Sequence, residues 1–256
     1  MLIAQITDLH AGSRIEMPGY EVDTLARVAK AVTHLNGLDP APHLVLATGD
    51  LTRDGTREEY EALKAAFAPL AMPLYLLPGN HDDRAMLRAV FAEHGYLPGD
   101  GFLHYTIEDG PLRIIALDTH VPGENGGELC AERLAWFEAT LGEAPEQPTL
   151  VAMHHPPFST GLPEFDCIGL AGAEAMGEIV ARHPQIETIL CGHVHREITL
   201  RWQGTLVTVT PSAAYQYPLE LRDGVGFHPV DEPPACRLCH WRPEVGLVSH
   251  LSYIAA

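Results

Sequence analysis

The feature that most constrains the fold is an alternation. Short apolar runs at residues 2–6, 43–47, 74–77, 114–117, 150–153 and 188–191 each stop near a polar or glycine-containing turn. Runs this short and this uniformly apolar read as strands buried on both faces. Between them, apolar residues at helical spacing predict helices at about 22–35, 57–67, 84–94, 131–141 and 173–182. The second opens on Thr56 and Glu59, a T-x-x-E box whose hydroxyl and carboxylate satisfy free N–H groups of the first turn. This βαβα order predicts an α/β layer fold.

Beyond Gly192 the pattern changes to β-rich segments, expected at 197–202, 205–209, 224–229, 235–241 and 246–253. Trp202-Gln203-Gly204 reads as a hairpin turn between the first two. The expectation is a mixed α/β layer fold closed by a second sheet. No repeat, low-complexity tract or long linker divides the sequence, so residues 1–256 read as one domain with a β-rich C-terminal part from about 197. The proline-containing stretch 217–234 reads as loop and edge structure near a site or a subunit contact.

Composition limits the partners. With 34 acidic and 16 basic residues the formal net charge is −18, which argues against broad contact with a nucleic-acid backbone or an anionic membrane. A small anionic substrate would need local positive charge, and bound metal ions supply it. The N-terminus has no basic segment and meets Asp8 too early for a signal-peptide core. No apolar run approaches the roughly 18 residues of a membrane span, so the expected compartment is the cytoplasm. Five scattered cysteines do not resemble a disulfide framework.

Metal-ligand residue types sit where the expected strands end. Asp8 and His10 follow the first, Gly49-Asp50 the second, Gly79-Asn80-His81 the third, His154 the fifth and Gly192-His193-Val194-His195 the sixth. Ligands bind at the carboxyl ends of strands in open α/β sheets, because the loops there converge on a crevice. Asp, His and Asn without cysteine suit Zn, Fe, Mn or Co, and the imidazole content argues against a simple Ca or Mg cage. A bridging carboxylate holds two cations about 3.5–4 Å apart, the spacing that clamps attacking and leaving oxygens in phosphoryl chemistry. Glycine before Asp50, Asn80 and His193 lets the backbone turn sharply and approach the ions. Each element alone is weak: D-x-H is nearly uninformative, and Gly-Asp and Gly-Asn are ordinary turns. Five in order, each at a strand end, make coincidence a poor account.

The set D-x-H, G-D, G-N-H-D, H and G-H-x-H, running from Asp8 to His195, resembles the calcineurin-like metallophosphoesterases. The chain is most similar to their class III cyclic-nucleotide phosphodiesterases and glycerophosphodiesterases, in length and in the segments 76–82 and 153–158. The resemblance implies a four-layer sandwich of two mixed sheets flanked by helices, with the site at the C-terminal ends of strands. It implies two divalent or mixed-valence ions (Fe, Mn, Zn or Co), one held by Asp8, His10, Asp50 and His195 and the other by Asp50, Asn80, His154 and His193. Asp50 then bridges, and His81 is the non-ligand beside the substrate phosphate that assists its charge or the leaving group. The implied reaction is phosphodiester hydrolysis, with 3′,5′-cyclic nucleotides or glycerophosphodiesters as substrates and no covalent enzyme intermediate.

Neighbouring residues carry two readings each. His155 belongs behind the ligands or, with His81 and Asn80, on the substrate wall. Asp118, Thr119 and His120 end a strand, so His120 lines the pocket or sits in a surface loop. Asp82 and Asp83 orient His81 or open the next helix. Phe158, Phe165, Asp166 and Cys167 border the cleft or pack in the core. Cys236-Arg237-Leu238-Cys239 resembles a metal or redox pair, but one CxxC on a strand favours structural thiols. The same chemistry would also serve a broad phosphomonoesterase or a nuclease. A non-catalytic scaffold is disfavoured because every ligand position is filled. The β-rich tail suggests a homodimer.

Overall fold

The structure is a computed structural model that describes residues 1–230 and 232–255; within the 217–234 stretch only Asp231 lies outside the described residues. The first half runs β1 (Leu2–Ile6), β2 (Arg14–Met17), β3 (Tyr20–Asp23), α1 (Thr24–Asn36), β4 (Leu44–Thr48), α2 (Arg57–Phe67), β5 (Leu74–Leu77), α3 (Arg84–Val90), β6 (Tyr105–Ile107) and β7 (Arg113–Leu117). The rest runs β8 (Gly127–Glu128), α4 (Ala131–Glu143), β9 (Thr149–Met153), α5 (Pro163–Asp166), β10 (Leu170–Ala171), α6 (Ala173–Arg182), β11 (Ile186–Cys191), β12 (Ile198–Trp202), β13 (Thr205–Val209), β14 (Ala235–Arg242) and β15 (Gly246–Tyr253).

Two mixed sheets form. The first has the order β15-β14-β1-β4-β5, the second β12-β13-β11-β9-β7-β6. β1, β4 and β5 are parallel, as are β7, β9, β11 and β13. Because side chains alternate along a strand, each sheet feeds two cores. On β4, Leu46 faces the other sheet with Ile3, Ile114, Leu150 and Leu190. Val45 and Ala47 face Val28, Leu63 and Leu87 of α1–α3. On β9, Val151 and Met153 face Phe137 of α4 and Met176 of α6. Three cores therefore separate four layers, helix, sheet, sheet and helix. Truncating a fully buried residue of the middle core, such as Leu46→Ala, removes about 2–5 kcal/mol of stability.

The six expected inner strands are present within two residues of their expected bounds. The Thr56–Glu59 capping box forms. Gln203 and Gly204, with φ of 51° and 94°, make the two-residue turn joining β12 to β13, where positive φ at both positions matches the twist of a hairpin. Other expectations need correction. The tail builds no separate sheet: β12 and β13 extend the second sheet, while β14 pairs antiparallel with β1 in the first. Residues 224–229 are not a strand, since Gly224 and Gly226 turn the chain through positive φ and, among the described residues, only Gln216 and Val230 bridge there. The helix expected from 22 starts at Thr24, because Val22 belongs to the β2–β3 hairpin and Asp23 caps α1 by accepting from Ala26 N at 3.1 Å. Cys236 and Cys239 lie on opposite faces of β14, in different cores, and both are free thiols. They form neither a metal nor a redox pair.

Candidate metal centre

The loops after β1, β4, β5, β9 and β11 meet at one edge of the sandwich, stitched together by their own backbones. Asp8 N donates to Gly49 O (3.0 Å), His10 N to Asp50 O (2.9 Å) and Gly192 N to His154 O (2.9 Å). Two further amides bind carboxylates, His81 N to Asp50 Oδ1 and His193 N to Asp8 Oδ1, both at 3.0 Å. Among the described residues, the non-glycine positions with positive φ are Asp8, His10, Asp50, His193, His195 and Gln203. Five of these six are expected ligands. Such backbone is strained for residues with a Cβ and persists where the surroundings over-determine it, typically at functional sites.

The motif glycines serve two distinct purposes. Gly49 needs its φ of 96°. Gly79 and Gly192 have ordinary φ and are needed for space. A Cβ on Gly79 would lie 2.3 Å from both the amide and Oδ1 of Asp50, and one on Gly192 would lie 2.0 Å from Thr7 Oγ1.

Three of the four ligand imidazoles, those of His154, His193 and His195, are oriented by a backbone carbonyl. His154 Nδ1 donates to Thr48 O (2.9 Å) and His195 Nδ1 to Tyr215 O (2.7 Å), which leaves Nε2 of each to face the carboxylates. His193 Nε2 donates to Ile168 O (3.2 Å), which leaves Nδ1 facing Asn80 Oδ1 at 3.0 Å. This is how proteins fix the tautomer of metal-binding histidines. The free nitrogens converge on two carboxylates. His195 Nε2 lies 3.4 Å from Asp8 Oδ1 and 3.1 Å from His10 Nε2. His154 Nε2 lies 3.3 Å from Asp50 Oδ1, while Asp50 Oδ2 is 3.7 Å from His10 Nε2.

Charge and hydrogen bonding both fit a bound cation. His154 Nε2, which faces the Asp50 carboxylate, is buried without a hydrogen-bond partner. Asp8 and Asp50 are 0% and 2% exposed, and no lysine or arginine pairs with either among the described residues. Burial drives His10 well below the usual histidine range and takes His193 to about 3 and His195 to about 4, so these rings are neutral donors of lone pairs. Burial, reinforced by repulsion from Asp50 and opposed by His154, raises Asp8 to about 7. Buried anions beside neutral imidazoles are costly alone, and a metal ion inverts that logic.

All seven expected ligands thus come together. Asp8, His10 and His195 form one cluster and Asp8, Asp50 and His154 another, while His193 and Asn80 adjoin the second. His81, half-exposed, donates from Nδ1 to Arg53 O (2.8 Å) and meets the His10 ring edge-on at 4.8 Å. His155 also lies within ligand reach of His154 and His193. Its nitrogens are engaged with Thr119 Oγ1 (2.8 Å) and Asn125 O (3.3 Å), however, and it is fully buried. It therefore supports His193, against which its ring packs at 4.5 Å, and presents nothing to a substrate wall.

Neither acidic residue after His81 orients it. Asp83 caps α3 by accepting from Met86 N (2.8 Å). Asp82 clamps the two neighbouring loops together, accepting from Leu51 N, Thr52 N, Gly79 N and the Tyr60 hydroxyl. Phe165 is buried, 5.8 Å from the His193 ring, and Asp166 staples the Ser159–Gly161 turn. Sequence reasoning missed Tyr215 and Tyr217, whose rings lie 4.7 and 4.9 Å from His195. They follow β13, and only its parallel pairing with β11 brings them to the site edge.

Residues 1–197 match the family model of the calcineurin-like phosphoesterases. The chain is 36% identical over 255 residues to an Arcobacter nitrofigilis protein named "Probable glycerophosphodiester phosphodiesterase GpdQ", covering 99% of this chain and 93% of that one. It is 32% identical over 218 residues to the 3′,5′-cyclic adenosine monophosphate phosphodiesterase CpdA of Escherichia coli, covering 84% of this chain and 77% of that one. Among solved structures, a dimetal phosphatase from Danio rerio shares the fold with a TM-score of 0.72 at 13% identity, over 99% of both chains. The ordered motifs, the four layers and these matches together make the chain a member of the calcineurin-like phosphoesterase family.

Proposed function

We propose that this chain hydrolyses small-molecule phosphodiesters with two metal ions, one held by Asp8, His10, Asp50 and His195 and the other by Asp50, Asn80, His154 and His193. The observation that carries this reading is the Asp50 carboxylate, which turns Oδ1 toward His154 and Oδ2 toward His10, as a bridge must. When bound, the cations polarise phosphoryl oxygens and make an ionised water available near neutral pH. His81, held at Nδ1 by Arg53 O, presents Nε2 to the substrate, and in its imidazolium form Nε2–H would hydrogen-bond a phosphoryl oxygen or give its proton to the departing alkoxide. Asn80, beside His193, shares the half-exposed rim with His81. The donor set favours Zn, Fe, Mn or Co.

Glycerophosphodiesters and 3′,5′-cyclic nucleotides are the proposed substrates, supported by the relatives named for each activity. A panel of cyclic AMP, cyclic GMP, glycerophosphoethanolamine and a phosphomonoester, with elemental analysis of the purified protein, tests this. Faster turnover of the monoester would overturn the diester reading, and a metal-free protein inert under every divalent ion would overturn the enzyme.

We further propose that residues 1–256 act as one domain, since β14 and β15 complete the sheet that β1 begins. A homodimer is supported by the edge strands β12 and β15 and the exposed Leu200, Leu206 and Tyr253; light scattering reads the mass. No helix among the described residues is long and apolar enough to cross a membrane. Five free thiols fit a reducing compartment such as the cytoplasm.

A further inference from the structure

After β13 the chain returns once more to the metal centre, in a turn at residues 212–216 that lies beyond the ordered motifs and beyond the residues matched by the family model. The turn is buried, with Ser212 0% and Gln216 2% exposed. A hydroxyl has one proton to donate and two lone pairs with which to accept, and Ser212 Oγ uses all three. It donates to Asp8 O (2.7 Å) and accepts from Ala214 N (2.9 Å) and Tyr215 N (3.1 Å). Gln216 locks the turn from its other end, Oε1 accepting from Ser212 N (3.0 Å) and Nε2 donating to Ser212 O (2.7 Å). Ala213 N adds a bond to Thr7 O (3.1 Å).

The turn bears on Asp8, His10 and His195, the three ligands that the first ion does not share with the second. Asp8 has a φ of 53°, a conformation that persists only where its surroundings hold it, and the Ser212 hydroxyl on its carbonyl is part of that hold. The Tyr215 carbonyl accepts from His195 Nδ1 (2.7 Å), and the Tyr215 ring packs 4.7 Å from His195 and 5.4 Å from His10. One hydroxyl therefore ties the backbone of a carboxylate ligand to the residue that orients an imidazole ligand. The second ion's own ligands are held from other elements, His154 by Thr48 O and His193 by Ile168 O, with Asn80 against His193.

We infer that Ser212 is a positioning residue for the first metal ion, fixing Asp8 and His195 at the separation one cation requires and leaving the second ion's cage alone. The inference rests on the two-metal reading. Groups that orient metal ligands are worth about 10–100-fold in metal affinity, and this hydroxyl stands behind two ligands at once.

The test is titration calorimetry of Mn²⁺ into the metal-free full chain. Wild type should take up two ions. Ser212→Ala should keep one at the wild-type affinity and bind the other roughly 10–100-fold more weakly. Gln216→Met releases the same turn and should reproduce the asymmetry; circular dichroism checks both folds, and this variant carries the test if the alanine variant does not fold. Asn80→Ala assigns the ion, because Asn80 belongs to the second set alone. Added to Ser212→Ala, it should leave both ions weakened. A double variant that still holds one ion as tightly as wild type would put Ser212 behind the second site and overturn the inference. Equal weakening of both ions by Ser212→Ala, as a general loss of stability would give, overturns it too, as do two undiminished ions. A wild type that binds fewer than two ions instead removes the two-metal reading on which it rests.

Discussion

Oδ1 of Asp50 lies 3.3 Å from Nε2 of His154, and both side chains are buried. Without metal this is an ion pair: burial opposes charge on the imidazole, but Asp50 outweighs it and raises His154 to about 9, while Asp50 itself is held well below the usual carboxylate range. For a raised histidine, the stabilisation of the metal-free fold is full below pH about 6.5 and fades as pH rises through about 9. A cation taking the Nε2 lone pair at pH 7.5 must expel that proton. Titration calorimetry with Mn²⁺ in buffers of different ionisation enthalpy should therefore show at least about one proton released per protein, His154 giving the first and Asp8, raised to about 7, adding a fraction. Heats independent of the buffer would mean that His154 is already neutral.

Asp50→Asn keeps the shape of the bridge and removes its charge. The amide cannot serve two cations with two anionic oxygens, so elemental analysis should find the metal content substantially reduced. The rate on bis(p-nitrophenyl) phosphate should fall at least about a hundredfold, equivalent to about 2.7 kcal/mol of barrier. Normal metal content and rate would refute the bridging role.

His81 is assigned to the substrate and not to a metal, so His81→Ala should separate the two. Metal content should stay at the wild-type value while kcat falls by about 10²–10⁴, the usual worth of a placed proton donor. Loss of both metals would show that the Arg53-anchored ring is part of the cage.

Gly79→Ala tests the space requirement. Its φ is ordinary, but the added methyl would meet the Asp50 amide and Oδ1 at 2.3 Å, and neither can swing away. Thermal melting of the metal-free variant should show a loss of about 1–3 kcal/mol from overpacking, together with weakened metal binding as Asp50 is displaced. A variant with unchanged melting and metal affinity would mean that the loops separate freely.

The ligands were legible because a short apolar run that ends in Asp, Asn or His marks both a buried strand and the carboxyl end where a crevice forms. Asp8, Asp50, His154 and His193 needed no knowledge of strand order. What stayed hidden depends on pairings far apart in sequence. The β14–β1 pairing joins Leu238 to Ala4, and strand periodicity alone does not choose a partner. Tyr215 reaches His195 only because β13 runs parallel to β11. The helix expected from Val22 takes in the last two residues of the β2–β3 hairpin, although Val22 lies well off the stripe of Val28, Ala31, Val32 and Leu35 at 100° per residue and Asp23 is an ordinary capping residue. Residues 224–229 read as a strand from their apolar members, but Gly224 and Gly226 at positive φ turn the chain instead.

Arg84 and Asp118 allow a test of the turn that carries His120. Asp118 is buried with 0% side-chain exposure. Burial alone would raise its pKa, but hydrogen bonds from Arg84 lower it below the usual carboxylate range. For a depressed carboxylate, the stabilisation is present above pH about 4 and is lost as pH falls through the folded-state value. Arg84→Met removes the cation and leaves the Asp118 charge buried on two backbone amides, so at pH 7 the variant should be less stable by up to about 3–5 kcal/mol. Asp118 then keeps the amides of Leu103 and His120 but has lost its cation, so burial pushes it upward, and acid relieves part of the penalty in the variant while Asp118 of the wild type stays ionised. Denaturant unfolding of metal-free protein at pH 7 and pH 5 should show the gap between the two proteins narrowing at the lower pH. A gap that is constant, or that widens in acid, would mean that the ion pair does not set the stability of this turn.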